Sequence, residues 1–434
     1  MTPFSAIFVP QELREAVSDR AWVQGMLAAE LALAKACASA GLVPADAVRP
    51  IEEACRAELY DTARIAEDGR RVGNPAEPLV RELRARVGPE AADHVHLGAT
   101  SQDIVDTAAM LVARDAAGLV LAELDRLADG CAGLARAHRS TPMAARTLLQ
   151  QAVPTTFGLK AAAWLVAVLE SRQRLAAVRA ERLAAQLGGA AGTLAALGDD
   201  ALEVVRLYAR ELGLAEPLLP WHANRQRLAE LGAARVAAAG AAAKVGLDIT
   251  LLAHSEVGEV GEASAGGSST MPQKRNPVRS TLAVACARLA HAHGGVLLGG
   301  LAHEHERGVG SWHAEWEALS GALAHTGGSV AAAADAVTGL EIDTARMQAN
   351  LEASGGLVVA ERVSFALTPR LGRAAAHEVV GEAAGAPSFR EALLADGRAE
   401  LSADELDRLL DAAGYLGAAE PLVDRALRAY EELR

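Results

Sequence analysis

Through the middle of the chain, apolar residues recur at alternating steps of three and four. Met110, Ala113, Ala117, Val120, Leu124, Leu127, Cys131 and Leu134 form one such series, which predicts a long helix burying a single stripe. The same pattern predicts Ala-rich helices over residues 157–187 and 226–254, and a fourth after Pro277 with Leu282, Cys286 and Leu289 facing inward. In the third, Gly232, Gly240 and Gly246 are spaced to let neighbouring backbones approach closely. Helices of roughly thirty residues span ~40–45 Å at ~1.5 Å per residue, more than a compact monomer needs, so their apolar flanks predict oligomerisation. Gly73-Asn74-Pro75 and Gly355-Gly356 break the pattern on either side. The expected fold is all-α, with an N-terminal helical domain over 1–105, a central long-helix bundle over 106–350 and a small C-terminal helical domain over 351–434.

Composition supports this reading. Hydrophobic residues make up 51% of the 434 residues and aromatics only 3%, so the apolar content is mostly Ala, Leu and Val, as closely packed helices require. The formal charge of −13 argues against a nucleic-acid surface, which needs a concentrated Lys/Arg face. Cys37, Cys55, Cys131 and Cys286 are scattered without a CxxC, so they are read as reduced core residues rather than zinc ligands or disulfides. Residues 1–10 lack the basic and apolar regions of a signal peptide, and no stretch is read as reaching the ~20 apolar residues of a membrane span. A cytoplasmic protein with neither membrane nor nucleic-acid partner is expected.

The most informative stretch lies between two apolar helices, over residues 261–277, where Gly266-Gly267-Ser268-Ser269 is followed by Met271-Pro272, Lys274 and Asn276-Pro277. The glycines allow backbone N–H groups to converge on an anion, Lys274 adds a positive charge, and Asn276-Pro277 suits the entry to a helix whose N-terminus also favours negative charge. A serine hydroxyl transfers a proton at neutral pH only if its alkoxide is stabilised. These neighbours are the groups that stabilise one.

The string GSS-x-MP-x-K-x-NP resembles the signature of the fumarase/aspartase superfamily. Two further segments are similar to its other shared regions: His96-Leu-Gly-Ala-Thr100-Ser101-Gln-Asp103 through Thr107, and Arg146-Thr147-Leu148-Leu149-Gln150-Gln151 through Gly158. The resemblance covers about residues 22–350. It implies a homotetramer whose active sites each draw the three regions from three subunits, with no cofactor and no metal. It further implies Ser268 as the proton-transfer residue and Lys274 and Asn276 on a substrate carboxylate and its enediolate-like intermediate. Thr100 and Ser101 would bind another carboxylate, although either would also serve as a plain helix cap. His96, Thr147, Gln151 and Ser269 complete the implied substrate contacts, although His96 would also serve as a capping or packing histidine and Gln151 would also satisfy buried backbone groups.

One position departs from the pattern. Superfamily members that expel an amine carry a histidine where this chain has Leu148, and leucine cannot donate a proton. Its absence suits a reaction in which a carboxylate leaves or attacks, such as an intramolecular addition that forms a lactone. With the His303-Glu304-His305-Glu306-Arg307 run, the resemblance implies a small tricarboxylate as substrate. Arg307 is the expected extra carboxylate ligand, chosen over Arg146, Arg225 and Arg275 because an arginine in this region binds substrate in related lyases. A lyase releasing another good leaving group fits Leu148 equally well. An amine-releasing lyase and a non-catalytic crystallin-like protein are further alternatives.

Overall fold

A computed structural model describes residues 4–263 and 271–433. In chain order its main elements are α1 (Asp19–Ser39), α2 (Ala76–Val87), α3 (Ser101–Ala137), β1 (Pro142–Thr147), β2 (Gln150–Thr156), α4 (Phe157–Glu181) and α5 (Ala201–Leu212). There follow α6 (Gln226–Leu252), β3 (Val260–Glu262), α7 (Val278–Gly299), α8 (Ser311–Thr338), β4 (Leu340–Ile342), α9 (Ala360–Leu371), α10 (Arg373–Ala384) and α11 (Ala419–Glu432). The strands form two antiparallel pairs, β1 with β2 and β3 with β4, so helices dominate as expected. Two compact units emerge: Met1–Asp125, Glu170–Ala243 and Leu282–Ala332 make the first, and Arg126–Leu169, Lys244–Thr281 and Ala333–Arg434 the second. Helices α3, α4, α6, α7 and α8 contribute residues to both.

The stripe along α3 is buried as its spacing predicts. Met110, Ala113, Ala117, Val120, Leu124, Leu127 and Cys131 are all fully enclosed, and Leu134 is half-buried. In the first unit, small side chains set the helix spacing: a Cβ on Gly25 of α1 would lie 3.1 Å from that of Ala108 in α3. A Cβ on Gly232 would lie 3.2 Å from Leu297, whereas Gly240 has only ordinary contact at 3.8 Å. Hydroxyls in this packing are satisfied by main chain, as where Ser329 donates to the Ala283 carbonyl at 2.8 Å.

Two helical expectations are corrected. The helix from Phe157 ends at Glu181 rather than Leu187, because the next residues bond elsewhere. Ala185 N–H donates to the Ala215 carbonyl, Ala215 N–H donates to Leu183, and Gln186 N–H donates to the Thr107 hydroxyl at 2.9 Å. The buried face of α7 keeps the expected Cys286 but is turned from the expected leucines: Ala283, Ala287 and Ala290 are enclosed with it, Leu282 is half-buried and Leu289 is exposed. Alanines allow closer helix contact than leucines, and Ala287 and Ala290 pack with Ala239 of α6. Among the described residues, α7 is also long and apolar enough to cross a membrane by length and composition, which the sequence reading had not recognised. Its exposed apolar residues include Leu289, Val296 and Leu298.

In the second unit, β1 and β2 meet in a hairpin whose last pair is Thr147 with Gln150. Leu148 and Leu149 therefore form a two-residue turn, with φ of +50° and +65°. Such turns favour Asn-Gly because both residues must be left-handed. A separate small core packs Val363 and Leu367 of α9 with Val379 of α10 and with Phe389, which begins the helix Phe389–Ala395, and Arg139 holds α11 through Asp424 and Glu420.

Arg235 on α6 runs against the usual economy of a core. Its side chain is fully buried, Nη2 makes one 3.4 Å bond to the Ala113 carbonyl, and Nε and Nη1 have no partner among the described residues. Burial pushes its pKa down to about 9, which still leaves it charged at neutral pH. A buried cation without a counter-ion destabilises a fold. Arg235→Met should therefore raise stability by about 1–4 kcal/mol, read as a higher thermal midpoint; a lower midpoint would show that the bond to Ala113 outweighs the desolvation.

Candidate active site

The first unit assembles part of the site around the start of α3. Gln102, Asp103, Asp106 and Thr107 occupy one side of its first turns and are all buried, so each needs a polar partner. Asp103 accepts from Thr100 N–H, Gly188 N–H and Gly189 N–H, each at 2.9 Å, and pairs with His222 Nε2 at 2.6 Å. By reaching back to Thr100 it supplies the carboxylate half of a capping box. The Thr100 and Ser101 hydroxyls make no hydrogen bond among the described residues and remain available to a ligand. The sequence thus placed both residues correctly at a helix entry, and the cap comes from Asp103 rather than from either hydroxyl.

Asp106 accepts two bonds from Arg225, at 2.8 and 3.0 Å, and one from Trp312 Nε1 at 3.0 Å. Glu315 holds the other side of the same guanidinium, and the Trp221 ring lies 4.9 Å beneath it. Arg225 is therefore a buried structural cation whose single charge is spent on two carboxylates. The His303 side chain is enclosed with its Nε2 3.5 Å from Glu315, and burial, reinforced by the Arg225 charge, lowers its pKa. Among the described residues, no group of three His, Cys, Asp or Glu is placed to hold a metal ion.

Arg307 is different. Nη1 donates to Gln102 Oε1 at 3.1 Å, and Nη2 donates to the Gly189 and Ala190 carbonyls at 2.8 and 2.7 Å. All three acceptors are neutral, so the guanidinium is oriented while its charge stays uncompensated among the described residues. The Gly188–Ala190 segment thus touches both Asp103 and Arg307. Sequence reading missed it, and the signal was a glycine pair: Gly189 has φ +69°, and a Cβ there would lie 2.9 Å from the Gly98 carbonyl oxygen.

His96 sits in the same unit with φ +64°, an uncommon conformation for a residue with a side chain. Its Nδ1 lies 2.6 Å from Glu30 Oε1, and Glu30 is almost fully buried in α1. Burial opposes the charged ring, but the charge and hydrogen bond of Glu30 outweigh it and the pKa is raised. Glu30 is a second group the sequence reading missed, because a lone glutamate inside an apolar helix carries no local motif.

The second unit holds the remaining described candidates. Thr147 is exposed at the end of β1, and Gln151 is exposed on β2, where its Nε2 donates to the Asn350 carbonyl at 3.3 Å. Arg146 is bound in two bonds of 2.9 and 2.6 Å to Glu259, so its charge is spent. Arg275 is likewise paired with Glu341 at 2.8 Å. Lys274 is exposed with no ion pair among the described residues, and Asn276 is half-buried just before α7. Ser268 and Ser269 lie outside the described residues.

The expected anion at the start of α7 is supplied by the chain itself. Glu262 on β3 accepts from Arg279 N–H at 3.0 Å and Ser280 N–H at 2.8 Å. Its carboxylate occupies the helix N-terminus that the sequence reading had offered to a ligand. Of the five cations near the shared segments, Arg146, Arg225 and Arg275 are neutralised, leaving Lys274 and Arg307 without an ion pair among the described residues.

Residues 9–290 match the family model described as Lyase, and residues 356–426 match the model described as adenylosuccinate lyase C-terminus. The chain is 47% identical to the 3-carboxy-cis,cis-muconate cycloisomerase of Pseudomonas aeruginosa, over 99% of this chain and 96% of that protein. It is also 47% identical to the nitrosuccinate lyase of Streptomyces davaonensis, over 95% of this chain and 91% of that one. The crystal structure of the 3-carboxy-cis,cis-muconate lactonizing enzyme of Pseudomonas putida matches at 44% identity with a TM-score of 0.93, covering 99% of each chain. With three shared segments in order and a lyase match over most of its length, the chain belongs to the lyase family of the fumarase/aspartase superfamily.

Proposed function

We propose that this protein is a cycloisomerase that closes 3-carboxy-cis,cis-muconate to 4-carboxymuconolactone, a step in protocatechuate breakdown by the β-ketoadipate pathway. One observation carries the choice of substrate: among the described residues Arg307 and Lys274 have no ion pair, while Arg146, Arg225 and Arg275 are neutralised. A tricarboxylate has the negative charge to use them. Leu148 agrees, since a carboxylate adding to an alkene needs no protonated leaving group.

In this reaction one substrate carboxylate oxygen forms the new C–O bond with the diene. The displaced electron pair moves toward the carbon beside another carboxylate and spreads onto its oxygens as an enediolate. Lys274 and Asn276 stabilise that charge, and the Ser268 hydroxyl delivers a proton to carbon. The serine alkoxide then regains its proton from water. Nucleophile and alkene belong to one molecule, so much of the rate comes from holding the reactive conformer, the task assigned to His96, Thr100, Ser101, Thr147, Gln151, Ser269 and Arg307.

The protein is read as cytoplasmic and as a homotetramer, with an N-terminal domain to residue 105, a central bundle over 106–350 and a C-terminal domain from 351. Support for assembly comes from exposed apolar side chains, Leu289, Val296 and Leu298 on α7 and Leu148 at the hairpin tip, which is 96% exposed. A neighbouring subunit covering them would also bring the shared segments together.

A second reading rests on the equal identity to nitrosuccinate lyase: release of nitrite from a nitro-substituted dicarboxylate, which also needs no proton donor at position 148. Parallel assays separate the two. Rapid loss of the ultraviolet absorbance of the muconate diene, with lactone formed and no nitrite released from nitrosuccinate, is expected; an unchanged diene with nitrite release would establish the lyase instead. Ser268→Ala should lower kcat by ~10²–10⁴-fold while the oligomer in size-exclusion light scattering is unchanged, and a rate near that of the parent protein would remove Ser268 from the mechanism. Arg307→Lys keeps the charge but loses the fork, and should lower kcat/KM by roughly tenfold or more, about 1.4 kcal/mol. Equal kinetics would show that the guanidinium serves only Gln102 and the two carbonyls.

A further inference from the structure

The carboxylate of Glu30 is an unusual thing to bury in α1. Oε1 meets His96 Nδ1 at 2.6 Å, whereas Oε2 is enclosed with no hydrogen-bond partner among the described residues. A buried carboxylate so poorly solvated is tolerated when its one partner carries positive charge. His96 is that partner, held in a left-handed backbone conformation with its side chain 17% exposed. Strain of this kind persists where the surroundings enforce it, and here the next glycine, Gly98, is also left-handed at φ +71°.

We propose that Glu30 is a positioning residue for the reaction: it grips the His96 ring at Nδ1 and keeps it an imidazolium, so that Nε2–H is offered to a substrate carboxylate. The inference rests on the reading above that His96 contacts substrate. Its force lies in the donor pattern of the ring. A neutral imidazole that donates Nδ1–H to Glu30 has a lone pair at Nε2, which repels a carboxylate, whereas the imidazolium donates from both nitrogens. Without the charge, the residue would turn from a ligand for an anion into an obstacle to it.

The groups that govern this proton come from several elements. Glu30 of α1 and Asp103 of α3 favour the charged ring, while burial and Arg84 of α2 oppose it. Arg84 is partly committed, donating to the Val95 carbonyl at 3.0 Å. Cys55 and Tyr208 also lie in the field of Glu30, and burial keeps both neutral, with the thiol pushed up to about 12 and the phenol well above its usual range. Because the pKa of His96 is raised, the imidazolium is present at low pH and lost as pH rises through that value. Carboxylate binding should therefore weaken on the alkaline side.

Glu30→Gln is the direct test, since glutamine keeps an oxygen for Nδ1–H and places its amide where an unpartnered oxygen already sits. In protein labelled at histidine ¹³Cε1, with the His96 signal identified by its loss in His96→Gln, the His96 titration should move to lower pH. The affinity for tricarballylate, an unreactive tricarboxylate, should fall severalfold near neutral pH and its alkaline loss should begin earlier. KM for the turned-over substrate should rise more than kcat falls, and Glu30→Asp should restore part of the affinity. In the His96→Gln background, Glu30→Gln should have no further effect on tricarballylate binding.

An unmoved His96 titration, or a full loss of affinity persisting in the His96→Gln background, would overturn the proposal. A shifted titration with unaltered tricarballylate binding would overturn it as well, by showing that the His96 charge does not reach the ligand. Failure of the parent protein to consume the muconate diene would instead count against the cycloisomerase reading. The titration and tricarballylate measurements do not depend on turnover.

Discussion

The carboxylate of Asp103 is the constraint on which the first unit's part of the site depends. Fully buried, it gathers Thr100, Gly188, Gly189 and His222 onto two oxygen atoms. A buried charge with this many donors is stable only if all are present together, so it fixes three segments distant in sequence with respect to one another. Removing any one would leave a charge or an N–H group unsatisfied. The hydroxyls of Thr100 and Ser101 stand at a helix entry that neither of them has to cap.

Electrostatic economy then decides which cations can do chemistry. An acidic chain could have met a polyanionic substrate with a broad basic surface, but this one spends most of its nearby guanidinium groups on its own carboxylates. Arg225 faces two acids and Arg146 and Arg275 one each. Arg307 is oriented as firmly as they are, yet by an amide and two carbonyls. Neutral acceptors fix a guanidinium without cancelling its field, which is the condition for binding an anion that arrives later.

Much of this was legible in the sequence, for identifiable reasons. The stripe from Met110 to Cys131 was readable because helix periodicity is a local property, and the shared segments because their chemistry is concentrated in short strings. Contacts made at long range were not. Nothing near Glu30 announces that it meets His96, 66 residues away, and nothing near Glu262 announces that it will cap a helix beginning at Val278. The inner face of α7 was right at Cys286 and misjudged at Leu282 and Leu289, because larger residues were favoured whereas close helix packing selected Ala283, Ala287 and Ala290. The end of α4 was misplaced because alanine's helix propensity yields to tertiary hydrogen bonds when these hold the next strand of chain extended.

The hairpin tip unites the sequence's most informative departure with a local strain. Leu148 and Leu149 occupy a turn suited to Asn-Gly, at a backbone cost of about 1–2 kcal/mol per residue, and they do so while exposing large apolar side chains. Among the described residues nothing covers either side chain, Leu148 being 96% and Leu149 74% exposed. A turn set by backbone preference alone would carry glycine, and in the proposed oligomer a neighbouring subunit would cover the leucines. In the proposed assembly, hydrocarbon at this tip would supply no proton, and an intramolecular carboxylate addition has no use for one. In the proposed reaction, the substitution that removes an acid is thus compatible with catalysis because the nucleophile enters already ionised.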